Sequence, residues 1–248
     1  MTNTLAINEV HEGDCLTLMK RIDDGSVDMV LCDLPYGTTR NKWDSIIPLD
    51  ELWAEYERII KDNGAIVLTA QTPFDKVLGV SNLKLLKYEW VWVKQKGTGH
   101  LNAKKMPMKN HENILVFYKK PPLYNPQFTE GEPYDKGTQK VTSSNYGNQK
   151  GARYVNTDGK RYPKSAIFFN TVERGLHPTQ KPTELFEYLI RTYTNEGDTV
   201  LDNCLGSGTT AIAAINTNRN FIGIEREPEY VAIAKRRIDE ALALRDIG

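Results

Sequence analysis

Cysteine and histidine are scarce in this sequence: three of the first (Cys15, Cys32, Cys204) and four of the second (His11, His100, His111, His177). Three widely spaced cysteines argue against a disulfide framework. With no histidine pair at ligand spacing, they also argue against a Cys/His metal site. A reduced, cytoplasmic protein without a bound metal is expected. No apolar run approaches the length of a membrane span, and Met1-Thr2-Asn3-Thr4 lacks a secretory pattern. No internal repeat is visible. Net charge is missing too, with 32 Lys+Arg against 32 Asp+Glu.

That zero hides an uneven distribution. Residues 84–175 hold 17 basic and 7 acidic side chains, and the remainder holds 15 and 25. The first segment has the charge of a polyanion-binding surface and the rest does not; a solvated lysine-rich loop region is the alternative. A length of 248 residues fits one large α/β domain, or one domain carrying an insertion.

Val27-Asp28-Met29-Val30-Leu31-Cys32 reads as a buried strand, and it runs into Asp33-Leu34-Pro35-Tyr36 before Gly37 releases the chain. Ligands of open α/β sheets bind at the C-terminal ends of strands. There Asp33 can accept a hydrogen from an exocyclic amine. Pro35 biases Leu34 towards an extended backbone, which orients the Leu34 carbonyl for the second amine hydrogen. Tyr36 offers a ring face for stacking. Two acceptors on one amine localise its lone pair and prepare it to attack an electrophilic methyl group. The plainer reading is a strand end with an Asx turn and a proline.

Around this corner, Asn8–Asp14 reads as a short strand with a Gly-Asp turn and Cys15–Ile22 as a helix. The polar loop from Gly37 to Ser45 carries Lys42 and Trp43; the tryptophan either clamps a base or strand, or pins the loop. Leu49, Leu52, Trp53, Tyr56, Ile59 and Ile60 share a helical face, and Asn63-Gly64 reads as the helix stop. Ala65–Thr69 is the next strand, and Gln71-Thr72-Pro73-Phe74 opens a short helix. Tyr88–Val93 and Glu112–Tyr118 read as a hairpin-like pair across a long, flexible, positive loop, 94–111, with Lys94, Lys96, Lys104, Lys105 and Lys109. Residues 119–176 show no period. Their amide, hydroxyl, basic and aromatic side chains suit reading base edges and phosphates; a disordered linker is the alternative.

The last part of the chain is more regular. A helix with Leu185, Phe186, Leu189, Ile190 and Tyr193 on one face precedes the strand Thr199–Asp202. A tight loop with Leu205, Gly206, Ser207, Gly208 and Thr209 follows, then a helix, then the strand Phe221–Glu225, and a last helix from Pro228. Strand, Gly-x-Gly, helix, strand and terminal acid make a Rossmann-type cofactor half. Glu225 lies 19 residues past Gly206, near the ~20-residue interval to an acid that grips ribose hydroxyls. The third glycine of the dinucleotide fingerprint is absent, which weighs against a pyrophosphate and favours S-adenosylmethionine.

Here the chain resembles a known family. Asp33-Leu-Pro-Tyr36 is similar to the catalytic Asp-Pro-Pro-Tyr of DNA amino-methyltransferases. Asp202-Asn-Cys-Leu-Gly-Ser-Gly-Thr-Thr210 resembles their cofactor loop, and His177-Pro-Thr-Gln-Lys-Pro182 their cofactor helix-cap motif. The order, catalytic motif first and cofactor motifs last, resembles the β group. The resemblance implies an α/β fold, a Rossmann-like seven-stranded methyltransferase sheet with helices on both faces and an inserted target-recognition region. Residues 1–93 would form the catalytic half, 94–176 a strand plus the inserted basic region, and 177–248 the S-adenosylmethionine half of the same domain.

It further implies transfer from S-adenosylmethionine to a flipped base of double-stranded DNA, adenine N6 by the motif's first Asp, with cytosine N4 as the alternative. Asp33 and the Leu34 carbonyl would hold the amine, with Pro35 between them and Tyr36 on the base. Glu225, with Arg226 beside it, would hold the cofactor ribose. Leu205 to Thr209, after Asp202, would surround the methionine part, helped by Thr179, Lys181 and Pro182. Asp33 belongs to both sets. Asp14, next to Cys15, would meet the cofactor adenine or merely cap the helix. Lys42, Trp43 and the five lysines of the 94–111 loop would face DNA. Leu34 replaces the motif's first proline, which predicts a less rigid loop. Rival readings are an RNA or protein amine methylase, a nicotinamide dehydrogenase and a non-catalytic nucleic-acid binder. The resemblance also allows a homodimer and a separately acting cognate restriction endonuclease. A nucleophilic-cysteine mechanism would need a Pro-Cys motif, which the chain lacks.

Overall fold

The computed structural model describes residues 4–37, 45–139, 142–143, 147–148, 152–172 and 180–245. Two compact units emerge, Met1–Asn125 with Ser165–Gly248, and Pro126–Lys164.

The first unit begins β1 (Glu9–Glu12), α1 (Cys15–Met19), β2 (Val27–Asp33), α2 (Leu49–Ile59), β3 (Ile60–Ala70), α3 (Phe74–Ser81), β4 (Leu86–Thr98) and β5 (Lys109–Phe117). The second contains β6 (Thr129–Glu130), β7 (Tyr134–Gln139), β8 (Thr142–Ser143), β9 (Gly147–Asn148), β10 (Ala152–Asn156) and β11 (Lys160–Arg161). The first then resumes with β12 (Ala166–Phe168), α4 (Thr183–Tyr193), β13 (Thr199–Asp202), α5 (Thr209–Asn216), β14 (Asn220–Glu225) and α6 (Pro228–Arg245).

The sheet order is β1-β14-β13-β2-β3-β5-β4-β12. From β1 to β3 all neighbours are parallel, whereas β5 is antiparallel to both β3 and β4. Seven of these strands meet the expected count. The eighth, β12, comes from the stretch expected to be irregular and pairs in parallel with β4 along Ala166–Phe168.

Alternation along the strands explains the layering. Met29 and Leu31 of β2 pack with α4, α5 and α6 on one face, while Val30 and Cys32 pack with α1, α2 and α3 on the other. Because both faces are covered, the central strands read as continuous apolar runs, as strands buried on both sides do.

Several expected boundaries move. The helix from Cys15 stops at Met19, and turn bonds from Arg21 and Ile22 back to Leu18 and Met19 close it. Asn63-Gly64 is not a helix stop: α2 ends at Ile59 and β3 starts at once. Gly64 serves a close approach, since a Cβ there would lie 2.7 Å from the Asp28 carbonyl of β2. The hairpin strands extend to Thr98 and back from Lys109, so the long 94–111 loop shrinks to 99–108.

The second unit carries short antiparallel ladders, β6 with β11, β7 with β10 and β8 with β9. Phe128 packs edge-on to Tyr162, and the Arg161 guanidinium lies 4.8 Å from the Tyr134 ring centre. Two-residue ladders give no periodic signal, which is why this stretch reads as structureless.

Candidate active site

Parallel strands bring β2, β13 and β14 to one edge with their C-terminal residues Asp33, Asp202 and Glu225 together. A cavity of about 490 Å³ opens there, lined by the whole Asp33–Tyr36 corner and by Leu205, Gly206, Ser207 and Glu225. Its size is that of a small-molecule site. Asp14, Cys15, Lys181, Asp202, Thr209 and Arg226 also line it. Sequence-distant motifs therefore share one cavity.

On the glycine side, polar groups are tied by short hydrogen bonds. Asp202 Oδ1 accepts from the Cys204 N–H at 3.0 Å, and Oδ2 accepts from the Thr210 hydroxyl in the first turn of α5. Burial pushes the Asp202 carboxyl up to about 6, although these two donors offset part of the effect. Gly206 N–H donates to Glu225 Oε2 at 2.7 Å and Glu227 N–H to Oε1 at 2.8 Å. Burial raises the Glu225 carboxyl, and each of its oxygens retains acceptor capacity for a hydroxyl. Gly208 has φ +91°, and a Cβ there would stand 3.1 Å from the Ala234 Cβ of α6. The loop thus needs glycine both for its backbone angle and for helix packing. A buried acid presented to the cavity beside a glycine loop fits a ribose and an amino-acid tail.

The acidic corner is built differently. Asp33 Oδ1 accepts from the Thr69 hydroxyl of β3 and from the Tyr36 hydroxyl at 2.7 Å. Oδ2 accepts from Lys181 Nζ at 2.6 Å. Burial alone would lower the Lys181 pKa, but Asp33 and Glu112 outweigh it and hold the ammonium charged. Burial and then the Asp33 charge push the Tyr36 phenol up, so it remains a donor. The Tyr36 ring stacks on Phe74, with centroids 5.5 Å apart, and Lys181 Nζ sits 5.5 Å from its centre. Leu34 is 3% exposed within the core.

Asp14 caps α1, its Oδ1 accepting from Thr17 N at 2.9 Å, and it lines the cavity as well. All three cysteines, distant in sequence, pack into one cluster beneath this wall, and Asn203 Nδ2 donates to the Cys204 sulfur at 3.6 Å. Burial pushes the Cys32 thiol up to about 12, so it is an inert packing group rather than a nucleophile. No group of three or more His, Cys, Asp or Glu able to hold a metal occurs among the described residues. Among the same residues, no helix is long and apolar enough to cross a membrane.

Lysines expected on the flexible loop separate into two kinds. Lys96, Lys104 and Lys105 are exposed. Lys94 instead lies on β4, pairs with Glu112 across the hairpin and faces the cavity, because the strand continues past Val93. Lys109 is held by Gln71 Oε1 at 3.0 Å and the Thr72 carbonyl at 3.3 Å. Pro182 precedes α4 as its N-cap. Lys42, Trp43 and Thr179 lie outside the described residues. Sequence reasoning missed Thr69, Phe74 and Glu112. Each was read only as part of a strand or a short helix, because nothing local marks it as a neighbour of Asp33.

The family model described as DNA methylase, whose name joins N6 and N4 enzymes, matches residues 27–236. Type II methyltransferase M.BglII of Bacillus subtilis is 31% identical, over 92% of this chain and 68% of its own. DNA adenine methyltransferase YhdJ of Escherichia coli (strain K12) is 30% identical, over 92% of this chain and 82% of its own. Among solved structures, the M1.HpyAVI–SAM complex superposes with a TM-score of 0.64 at 26% identity, covering 92% of this chain and 98% of that one.

Proposed function

This chain belongs to the DNA methylase family, and on that premise we propose that its cavity seats the N6 amine of a flipped adenine against Asp33. The protein is an S-adenosylmethionine-dependent DNA methyltransferase acting on adenine. One observation carries the reading: the Asp33–Tyr36 corner and the Gly206–Glu225 pair line a single cavity. Bound S-adenosylmethionine supplies an electrophilic methyl group on a sulfonium. Everything else falls to the chain.

Glu225 accepts from the ribose hydroxyls. Leu205 to Thr209 surround the methionine part, and the Asp14–Cys15 wall meets the adenine of the cofactor. Asp33 and the Leu34 carbonyl draw the two amine hydrogens, which concentrates the lone pair on nitrogen. Tyr36 holds the base plane. The base must leave the duplex first, because the amine cannot be reached inside the stack. The basic unit Pro126–Lys164, together with Lys104 and Lys105, serves target recognition and phosphate contact. A homodimer in the cytoplasm, with a separately acting endonuclease as partner, completes the proposal; sedimentation at working concentration that shows only monomer would remove the dimer.

Labelling mixed duplex oligonucleotides with radioactive S-adenosylmethionine, then digesting to nucleosides, tests the reading. N6-methyldeoxyadenosine is expected. Label in N4-methyldeoxycytidine would reassign the base, and label confined to RNA or protein would overturn the substrate class.

A further inference from the structure

Glu112 is placed as no motif anticipates. Its carboxylate stands at the cavity wall on β5, 8% exposed. Oε1 accepts from Lys94 Nζ. Oε2 is fully buried and has no hydrogen-bond partner among the described residues; Lys181 Nζ stands 3.5 Å away, an ion-pair distance only. Burial would raise this carboxyl, but Lys181 and Lys94 outweigh it and hold it ionised. A buried, ionised oxygen without a hydrogen bond is costly, so its position calls for an occupant.

The acidic corner supplies one. Asp33 Oδ1 already accepts from Thr69 and Tyr36, whereas among the described residues Oδ2 accepts only from Lys181. An incoming amine must therefore be received at Oδ2, at the acceptor position left beside the ammonium. As that amine attacks a sulfonium methyl, positive charge grows on its nitrogen. An ammonium bonded to the same carboxylate oxygen opposes the growth, since like charges at this range disfavour it.

Resting on the proposed reading of Asp33, we propose that Glu112 is a positioning residue: its free oxygen takes Lys181 off Asp33 when the target amine arrives. A shift of about an ångström turns the 3.5 Å separation into a charge-assisted bond. No proton changes hands. Lys181 remains an ammonium, Lys94 stays on Oε1, and the amine at Asp33 Oδ2 no longer shares that oxygen with a cation.

A double-mutant cycle tests this in the full-length protein with S-adenosylmethionine and duplex DNA, read by single-turnover methylation and by cofactor affinity. Glu112→Gln should slow methyl transfer by about 10- to 100-fold with cofactor affinity unchanged within about twofold. In a Lys181→Met background the same substitution should add nothing, because its effect runs through the ammonium. An unchanged rate, additive effects, or a matching loss of cofactor affinity would each overturn the inference. Should Glu112→Gln not fold, Glu112→Asp withdraws the carboxylate by one methylene, keeps the charge and carries the same comparison. Asp33→Ala separates the two levels: an active Asp33→Ala defeats the parent reading, while an inactive one beside a normal Glu112→Gln defeats only the role of Glu112.

Discussion

The two walls of the cavity solve the problem of buried polarity in opposite ways. Around the glycine loop, carboxylates are satisfied by backbone N–H groups and a hydroxyl from nearby in the chain: Asp202 with Cys204 and Thr210, two and eight residues on, and Gly206 with Glu225, nineteen apart. Around the acidic corner, full charges alternate through Lys94, Glu112, Lys181 and Asp33, and the Lys181–Asp33 contact joins residues 148 apart. In the first arrangement every carboxylate oxygen already has a donor without a ligand. Among the described residues, the second holds one oxygen unbonded and one cation between two anions, which is what the proposed movement of Lys181 would use. On the proposed reading, the glycine wall takes the cofactor and the charged wall exchanges partners as a flipped base enters.

The largest expected effect falls on the charged wall. Asp33→Ala should lower single-turnover methylation by about 10³-fold or more, the scale for loss of a group aimed at developing charge, while S-adenosylmethionine affinity measured by calorimetry stays within a few-fold. Equal losses in both would erase the distinction between the walls.

Next comes a stability effect on the glycine wall. With Asp202 raised by burial to about 6, its folded value lies above that of the unfolded chain. Its favourable contribution to folding is therefore present below about pH 4 and lost as pH rises through 6. Asp202→Asn, which cannot ionise, should gain on the parent protein by up to about 3 kcal/mol between pH 4 and 7. Urea unfolding at several pH values reads this directly, and parallel curves for the two proteins would show that Asp202 is not strained by its burial.

Glu225→Ala should weaken cofactor binding by about 10- to 100-fold, the loss of hydrogen bonds to a charged acceptor, with the chemical step little altered at saturating cofactor. Unchanged affinity in calorimetry would place the ribose elsewhere. The smallest effect belongs to the exposed turn between β4 and β5. Lys104→Glu with Lys105→Glu should flatten the slope of log K for DNA against log salt by about 2, with cofactor affinity untouched. An unchanged slope would remove these lysines from the DNA path and leave the charged wall without that approach route.

Legibility in the sequence follows the same division. The strand–glycine–helix–strand order and the Gly206-to-Glu225 interval were readable because both are local and backbone-driven. Asp33–Tyr36 was readable as a strand end, and Cys32 and Cys204 as packing groups. Lys94 was misplaced on a flexible loop, because nothing local says that β4 continues to Thr98. Asn63-Gly64 misled for a related reason: its glycine answers to the Asp28 carbonyl on the neighbouring strand, not to the helix before it. The ladders of the Pro126–Lys164 unit are too short for a period to appear.

By itself, the sequence determined which residue types stand at the ends of which strands, and that a glycine turn and a terminal acid would lie together in one strand–helix–strand unit. Periodicity, turn chemistry and motif spacing act within a few residues to a few tens, so they survive in one dimension. Only the tertiary structure decided that Glu112 and Lys181 meet Asp33. Strand order and helix crossovers set that meeting, and an ion pair between elements distant in the chain leaves no periodic trace in either.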